Sequence, residues 1–254
     1  MVKNVELYCF SPTGGTRKVG ETFAHALAEE VKYMDLLDRT VQQLEAECET
    51  IVAAVPVFAG RIPSVAREKL KTLKGDGKKA VALVVYGVRA YDDALLELVE
   101  LLEVCGFAVA AAGAFNAQHS MVPAVGAGRP DEKDIAEIKD FASKVAAKLE
   151  TGVEVEVLKV PGNHPYKEEM TVANTPVSNE GCVACGACAN ICPTEAIALM
   201  DGKVETQLAK CIDCLACIAV CPVKARTLAP AHQAGINERL GGLVDVYREN
   251  EVYL

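Results

Sequence analysis

Two runs near the end of the chain, CVACGACANICP at 182–193 and CIDCLACIAVCP at 211–222, both read C-x2-C-x2-C-x3-C-P and begin 29 residues apart. Nothing else in the sequence restricts the fold as strongly. Three cysteines at spacings of three set their thiolates around one corner of a small polyhedron. The fourth, followed by proline, lies too far along to close the same set. The N-terminus, MVKNVELYCF, has no secretory h-region or cleavage site, so a cytoplasmic setting is expected. There, eleven cysteines mean metal rather than disulfides. Zinc sites use four ligands in two separated pairs, which two four-cysteine runs ending in C-P do not match. Soft thiolates in this pattern select iron–sulfur clusters. The filler residues (Val183, Ala184, Ala187 and Ala189; Ile212, Leu215 and Ala216) are small or apolar. They let backbone N–H groups approach sulfide and keep water out.

With both motifs complete, residues 176–232 resemble a bacterial ferredoxin domain carrying two 4Fe–4S clusters. In such ferredoxins each motif gives three ligands to its own cluster and its fourth to the other. The resemblance implies Cys182, Cys185, Cys188 and Cys221 on one cluster, and Cys192, Cys211, Cys214 and Cys217 on the other. Asp213 stands where Ala184 occupies the first half. A solvated loop carboxylate is its simplest assignment, and a charge that shifts the second cluster is the sharper one. Cys9, Cys48 and Cys105 sit in apolar surroundings and read as core thiols.

The long segment in front alternates strand and helix. Val5–Phe10, Thr50–Val57, Ala80–Tyr86 and Phe107–Phe115 are strands, Thr50–Val57 and Ala80–Tyr86 being near-continuous apolar runs suited to a sheet buried on both faces. Helices are expected over about 16–29, 64–72, 90–105 and 131–150. A short strand at Val31–Asp35 and a short helix at Val41–Cys48 complete five strands and five helices. That is an α/β doubly wound parallel sheet of flavodoxin-like order 2-1-3-4-5, with a small α+β ferredoxin-like domain behind it. The expected organisation is therefore 1–150 as the sheet domain, 151–175 as a linker with one added strand over 153–160, 176–232 as the ferredoxin domain, and 233–254 as a partly helical tail without an assigned job.

Three loops fall at the carboxyl end of that sheet, where doubly wound folds bind ligands. SPTGGTRKVG at 11–20 is neither a Walker A loop nor G-x-G-x-x-G. Its hydroxyls (Ser11, Thr13, Thr16), the backbone freed by Gly14 and Gly15, and the helix start behind them suit one phosphate group; a plain tight turn is the competing reading. PVFAGRIP at 56–63 offers Pro56, Val57, Phe58, Ala59, Gly60 and Arg61. YGVRAYDDAL at 86–95 offers Tyr86, Gly87, Arg89, Tyr91 and Asp92. Phe58 and Tyr91 are aromatic faces for a flavin ring, Gly60 a backbone approach to its N5, and Arg61 and Arg89 cations for the ring or for an anionic partner. His119, in the loop 115–130, is either a hydrogen-bonded bystander or a proton source near the flavin.

Together with GAFNAQHS at 113–120, these stretches make residues 1–150 resemble the flavodoxin-like half of the flavodoxin–ferredoxin fusion proteins of anaerobes, and the resemblance extends over nearly the whole chain. It implies bound FMN, two 4Fe–4S clusters and electron transfer between them. Flavodoxins carry T-x-T-G-N-T in the first loop; here Gly15 stands in place of Asn and Pro12 enters, a departure that bears on flavin affinity. The implied function is an electron carrier with redox proteins as partners. A flavin-dependent oxidoreductase acting on a small molecule, and a ferredoxin with a flavin-free docking domain, are the other readings. A net charge of −9 spread along the chain offers no nucleic-acid footprint. The longest apolar stretch, around Val104–Phe115, is too short to enter a membrane as a span. The ferredoxin unit is expected to face its own sheet domain or that of a second copy in a homodimer.

Overall fold

A computed structural model describes residues 1–151 and 157–254. Strands β1 (Val2–Cys9), β2 (Ala28–Asp35), β3 (Thr50–Pro56), β4 (Lys79–Tyr86) and β5 (Ala108–Asn116) form a parallel sheet in the order β2-β1-β3-β4-β5. This is the flavodoxin-like order. Helices α1 (Gly15–Leu27) and α4 (Glu132–Glu150) cover one face, and α2 (Ser64–Leu70) and α3 (Ala94–Val104) the other. Runs such as AVALVVY in β4, buried at every position after Lys79, are apolar because both faces are covered. Cys9 is fully buried in one of the two cores, while Cys48 and Cys105 are only half-buried.

The helix expected at Val41–Cys48 does not form; residues 41–47 are irregular. Neighbouring side chains take the backbone groups that a helix would have paired internally. The buried Glu6 carboxylate accepts from the N–H groups of Glu47 and Cys48 at 2.8 and 3.1 Å, Tyr8 donates to the Glu45 carbonyl, and Thr72 Oγ1 accepts from Leu44 N–H. A short helix is marginal in isolation, so these tertiary bonds win. The sheet domain therefore has four helices, not five. Of the strand expected over 153–160, residues 153–156 lie outside the described residues, and 157–160 are not strand.

After α4 the chain must return from the amino end of the sheet, and it does so along α3. Gly162 lies against Leu96, Asn163 N–H donates to Asp93 at 2.8 Å, His164 and Tyr166 meet Glu100, and Lys167 N–H donates to Asp93 at 2.7 Å. The cysteine-rich unit follows: β6 (Val177–Ser178), α5 (Ala187–Ile191), β7 (Ile197–Met200), β8 (Lys203–Thr206), α6 (Ala216–Ala219) and β9 (Arg226–Thr227), with β6 paired to β9 and β7 to β8. Its second half packs on the sheet domain. Ala216, Ile212 and Cys214 join the apolar cluster of β3 and β4, and Leu215 packs with Val88, Val125 and Ile236.

The tail crosses back to the sheet. Helix α7 (Pro230–Leu240) leads to β10 (Glu251–Tyr253), which pairs antiparallel with β5 through Glu251↔Ala114 and Tyr253↔Ala112. Asn250 Oδ1 accepts from Asn116 N–H at 2.9 Å, and its Nδ2 donates to Asp134 and Glu137. Arg129, ion-paired to Asp134, donates to the Arg248 carbonyl and stacks on Tyr247. No helix among the described residues is long and apolar enough to cross a membrane.

Candidate functional site

The three loops do converge. With the ferredoxin unit and α7 they wall a cavity of about 600 Å³ at the carboxyl end of the sheet. Thr13, Gly15 and Thr16 come from the first loop, Pro56 through Gly60 from the second, and Tyr86, Gly87 and Arg89 from the third. At the first loop, Gly14 is left-handed (φ 94°) and has no side chain to cap α1; Ser11 Oγ takes the Arg17 N–H, and the first N–H groups, of Gly15 and Thr16, face the loop without helical partners. Gly60 is also left-handed (φ 94°), and a Cβ there would lie 2.3 Å from Asp92 Oδ2. Only glycine lets this backbone pass so close.

Five of the expected residues stand behind the cavity wall rather than in it. Gly14 carries the turn itself. Ser11 Oγ accepts from Arg17 N–H at 2.8 Å. Asp92 pairs with Arg89 and Lys167. Tyr91 packs edge-on to Tyr86 and donates to Glu251 at 2.6 Å, so it braces the loop against the tail. Arg61 is held by Glu97 through two 2.8 Å bonds, donates to the Lys167 carbonyl and lies over Tyr166.

Glu97, 3% exposed, also accepts from Ile62 N–H at 3.0 Å and from Arg67. Burial alone would raise its carboxyl; the Arg61, Ile62 and Arg67 donors outweigh that and hold it below its usual value. A depressed folded pKa adds stability that is complete above the unfolded value and is lost as pH falls through the folded one. Glu97→Gln is therefore expected to lower stability by about 1–3 kcal/mol at neutral pH, because it removes the anion held by two partly buried guanidinium groups, Arg61 and Arg67. The same change should flatten the loss of stability below about pH 4.5. Urea unfolding at pH 7 and pH 4 measures both; equal losses at the two pH values would refute the electrostatic account.

His119 is in the cavity wall and is hydrogen-bonded there. Its Nδ1 accepts from the N–H groups of Met121 and Val122 at 3.2 and 3.3 Å. That leaves Nε2 to carry the proton of the neutral ring, and burial lowers its proton affinity. Asp213 is not a solvated loop carboxylate: it is 5% exposed and faces His232 Nε2 at 3.7 Å across the cavity wall. Asp213 Oδ1 and His232 Nδ1 are both buried without a hydrogen-bond partner. Buried polar atoms are nearly always paired, so this wall is built for a polar guest. His232, Arg239, Leu240 and Leu243 in the tail, Lys167 and Met170 in the return segment, and Met121 also line the cavity. The sequence reading assigned none of them, and no local motif marks them.

The eight cysteines ring two further cavities. One is lined by Cys182, Cys185, Cys188 and Cys221, the other by Cys192, Cys211, Cys214 and Cys217. Each set takes three cysteines from one motif and one from the other. Backbone N–H groups approach sulfur in both halves at symmetry-related places: Ala196 to Cys192 at 3.3 Å and Ala225 to Cys221 at 3.2 Å. The second set touches the large cavity, since Cys214 lines both. The first set lies outward, with Cys185 and Val183 exposed.

Residues 176–222 match the family model described as a 4Fe-4S dicluster domain. No curated protein matches the chain. Among solved structures the chain is similar to a Streptococcus pneumoniae TIGR4 flavodoxin (17% identity, 57% of this chain and 99% of that one, TM-score 0.43), to oxidised flavodoxin 1 from Bacillus cereus (16%, 60% and 99%, 0.39), and to a flavodoxin, WrbA-like protein from Agrobacterium tumefaciens (12%, 60% and 100%, 0.45). The strand order seen here carries the flavodoxin-like assignment, and the family match carries the iron–sulfur one. The chain thus sets a flavodoxin-like parallel sheet in front of a match to a 4Fe-4S dicluster domain.

Proposed function

We propose that the chain is an electron-transfer protein with FMN in the large cavity and one 4Fe–4S cluster in each four-cysteine cavity. One observation carries the proposal: Cys214 belongs to the wall of the large cavity and to the second cysteine set at once. Bound together, FMN exchanges one or two electrons and each cluster one, so the set interconverts paired and single electrons.

The residues present suit these groups. The first N–H groups of α1, with Thr13 and Thr16, would hold the phosphate. Phe58, Gly60 and Gly87 would flank the ring, and Gly87 sets its backbone against His119, where a Cβ would lie 2.5 Å from the imidazole. His119, Asp213 and His232 supply polar atoms at the same wall. No dinucleotide fingerprint is present, which favours FMN over FAD. The ferredoxin unit and α7 form one side of the cavity, so that side is covered within a single chain without a second copy. A covered face favours a carrier over an oxidoreductase of small molecules. The outward first set, with Cys185 exposed, is where a redox protein would dock.

Anaerobic purification, an absorbance spectrum, flavin extraction and iron counting test the content. A flavin-free protein would instead support the ferredoxin with a docking domain. Stopped-flow reduction by an external donor tests the route. Electrons should pass from clusters to flavin at a rate independent of protein concentration. A rate that scales with concentration would mean that transfer occurs between molecules.

A further inference from the structure

The two halves of the cysteine repeat superimpose in sequence with an offset of 29, so that CPTEAIAL (192–199) aligns with CPVKARTL (221–228). Ile197 in the first half then corresponds to Arg226 in the second. Both are buried, Ile197 lining the second cysteine set's cavity and Arg226, 3% exposed, lining the first's. The repeat thus shows that an apolar side chain suits this position, and yet a cation occupies one copy.

That cation is unusually placed. Burying a guanidinium costs several kcal/mol unless an anion compensates it. Among the described residues Arg226 has neutral oxygen partners only. Nη1 donates to Ser178 Oγ at 3.1 Å, Nη2 donates to Thr206 Oγ1 at 2.7 Å, and Nε is buried without a partner. Arg226 lines the cavity of the first cysteine set, and Thr206, to which it donates, lines the cavity of the second. An arginine stays charged at any relevant pH, so its effect does not depend on titration.

We infer that Arg226 is the fixed counter-charge of the iron–sulfur pair, a positioning residue that sets how readily both clusters accept an electron. The inference rests on the two-cluster reading above. Each cluster, with four thiolates, is anionic, and reduction adds one further negative charge with no compensating proton. A buried cation between the two sites favours the reduced form of each and weakens their mutual repulsion. The anions it needs are the clusters themselves, which accounts for the missing carboxylate.

The test compares Arg226→Gln, Arg226→Met and Arg226→Lys in the full-length holoprotein purified anaerobically. Iron content is measured first, then the cluster potentials by EPR-monitored redox titration. The Gln and Met variants should keep wild-type iron, since Ile197 occupies the sister position. Their clusters should be at least tenfold harder to reduce, a downward shift of about 59 mV or more for a one-electron couple. The Lys variant should stay near wild type. Unchanged potentials in iron-replete Gln or Met protein would overturn the inference. So would iron loss in both, because Arg226 would then hold the fold rather than tune the clusters. A wild-type protein without two clusters would sink the two-cluster reading and this inference with it.

Discussion

Cys192→Ala is expected to empty the cluster site of the second motif first, although Cys192 is part of the first. Its sulfur lies in the cavity shared with Cys211, Cys214 and Cys217, and a three-thiolate remnant holds a cubane poorly. The mirror change, Cys221→Ala, should damage the first motif's site, where Cys221 stands with Cys182, Cys185 and Cys188. Because the second set also touches the large cavity, only Cys192→Ala should break the electron route to flavin as well. Anaerobic iron counting with EPR, followed by stopped-flow reduction, separates the cases. Loss confined to the first motif's cluster in Cys192→Ala would show that ligation is not crossed.

The second large effect is expected at the phosphate loop. Gly14→Glu places a carboxylate where the phosphate would meet the start of α1, and should abolish flavin retention. Gly14 has φ 94°, so any side chain adds strain of about 1–2 kcal/mol. Gly14→Ala provides the control, since it carries the strain without the charge and a Cβ there meets nothing within 4 Å. The Ala variant should keep most of its flavin and the Glu variant none, with circular dichroism showing the fold intact in both variants. Equal flavin content in the two variants would move the phosphate site elsewhere.

Much of this was legible because it is local. The cysteine spacing, the apolar runs of β3 and β4, and the βα turns each declare themselves within ten residues or so. The failures are non-local. Val41–Cys48 reads as a helix until Glu6, on a strand more than thirty residues earlier, takes two of its N–H groups. Asp213 reads as a solvated loop residue until His232 and the sheet domain close over it. Arg61 and Tyr91 were named from aromatic and basic character alone, and their true neighbours, Glu97 and Glu251, come from other elements. The tail carries no motif at all. Its meaning depends on β5 lying beside it.

That last pairing changes how the molecule should be cut. By sequence the chain looks like beads on a string, a sheet domain with a ferredoxin appended. In space, β5 and β10 are neighbours in one sheet, and the ferredoxin is an insertion between them. A fragment ending at Glu150 would leave the backbone edge of Ala112–Ala114 bare, on a strand of small apolar residues. Such an edge is a template for pairing with another chain. The sheet domain is thus better excised by splicing residue 150 to the 244–254 segment through a linker that runs back the length of the 19-residue α4, about 28 Å, than by simple truncation.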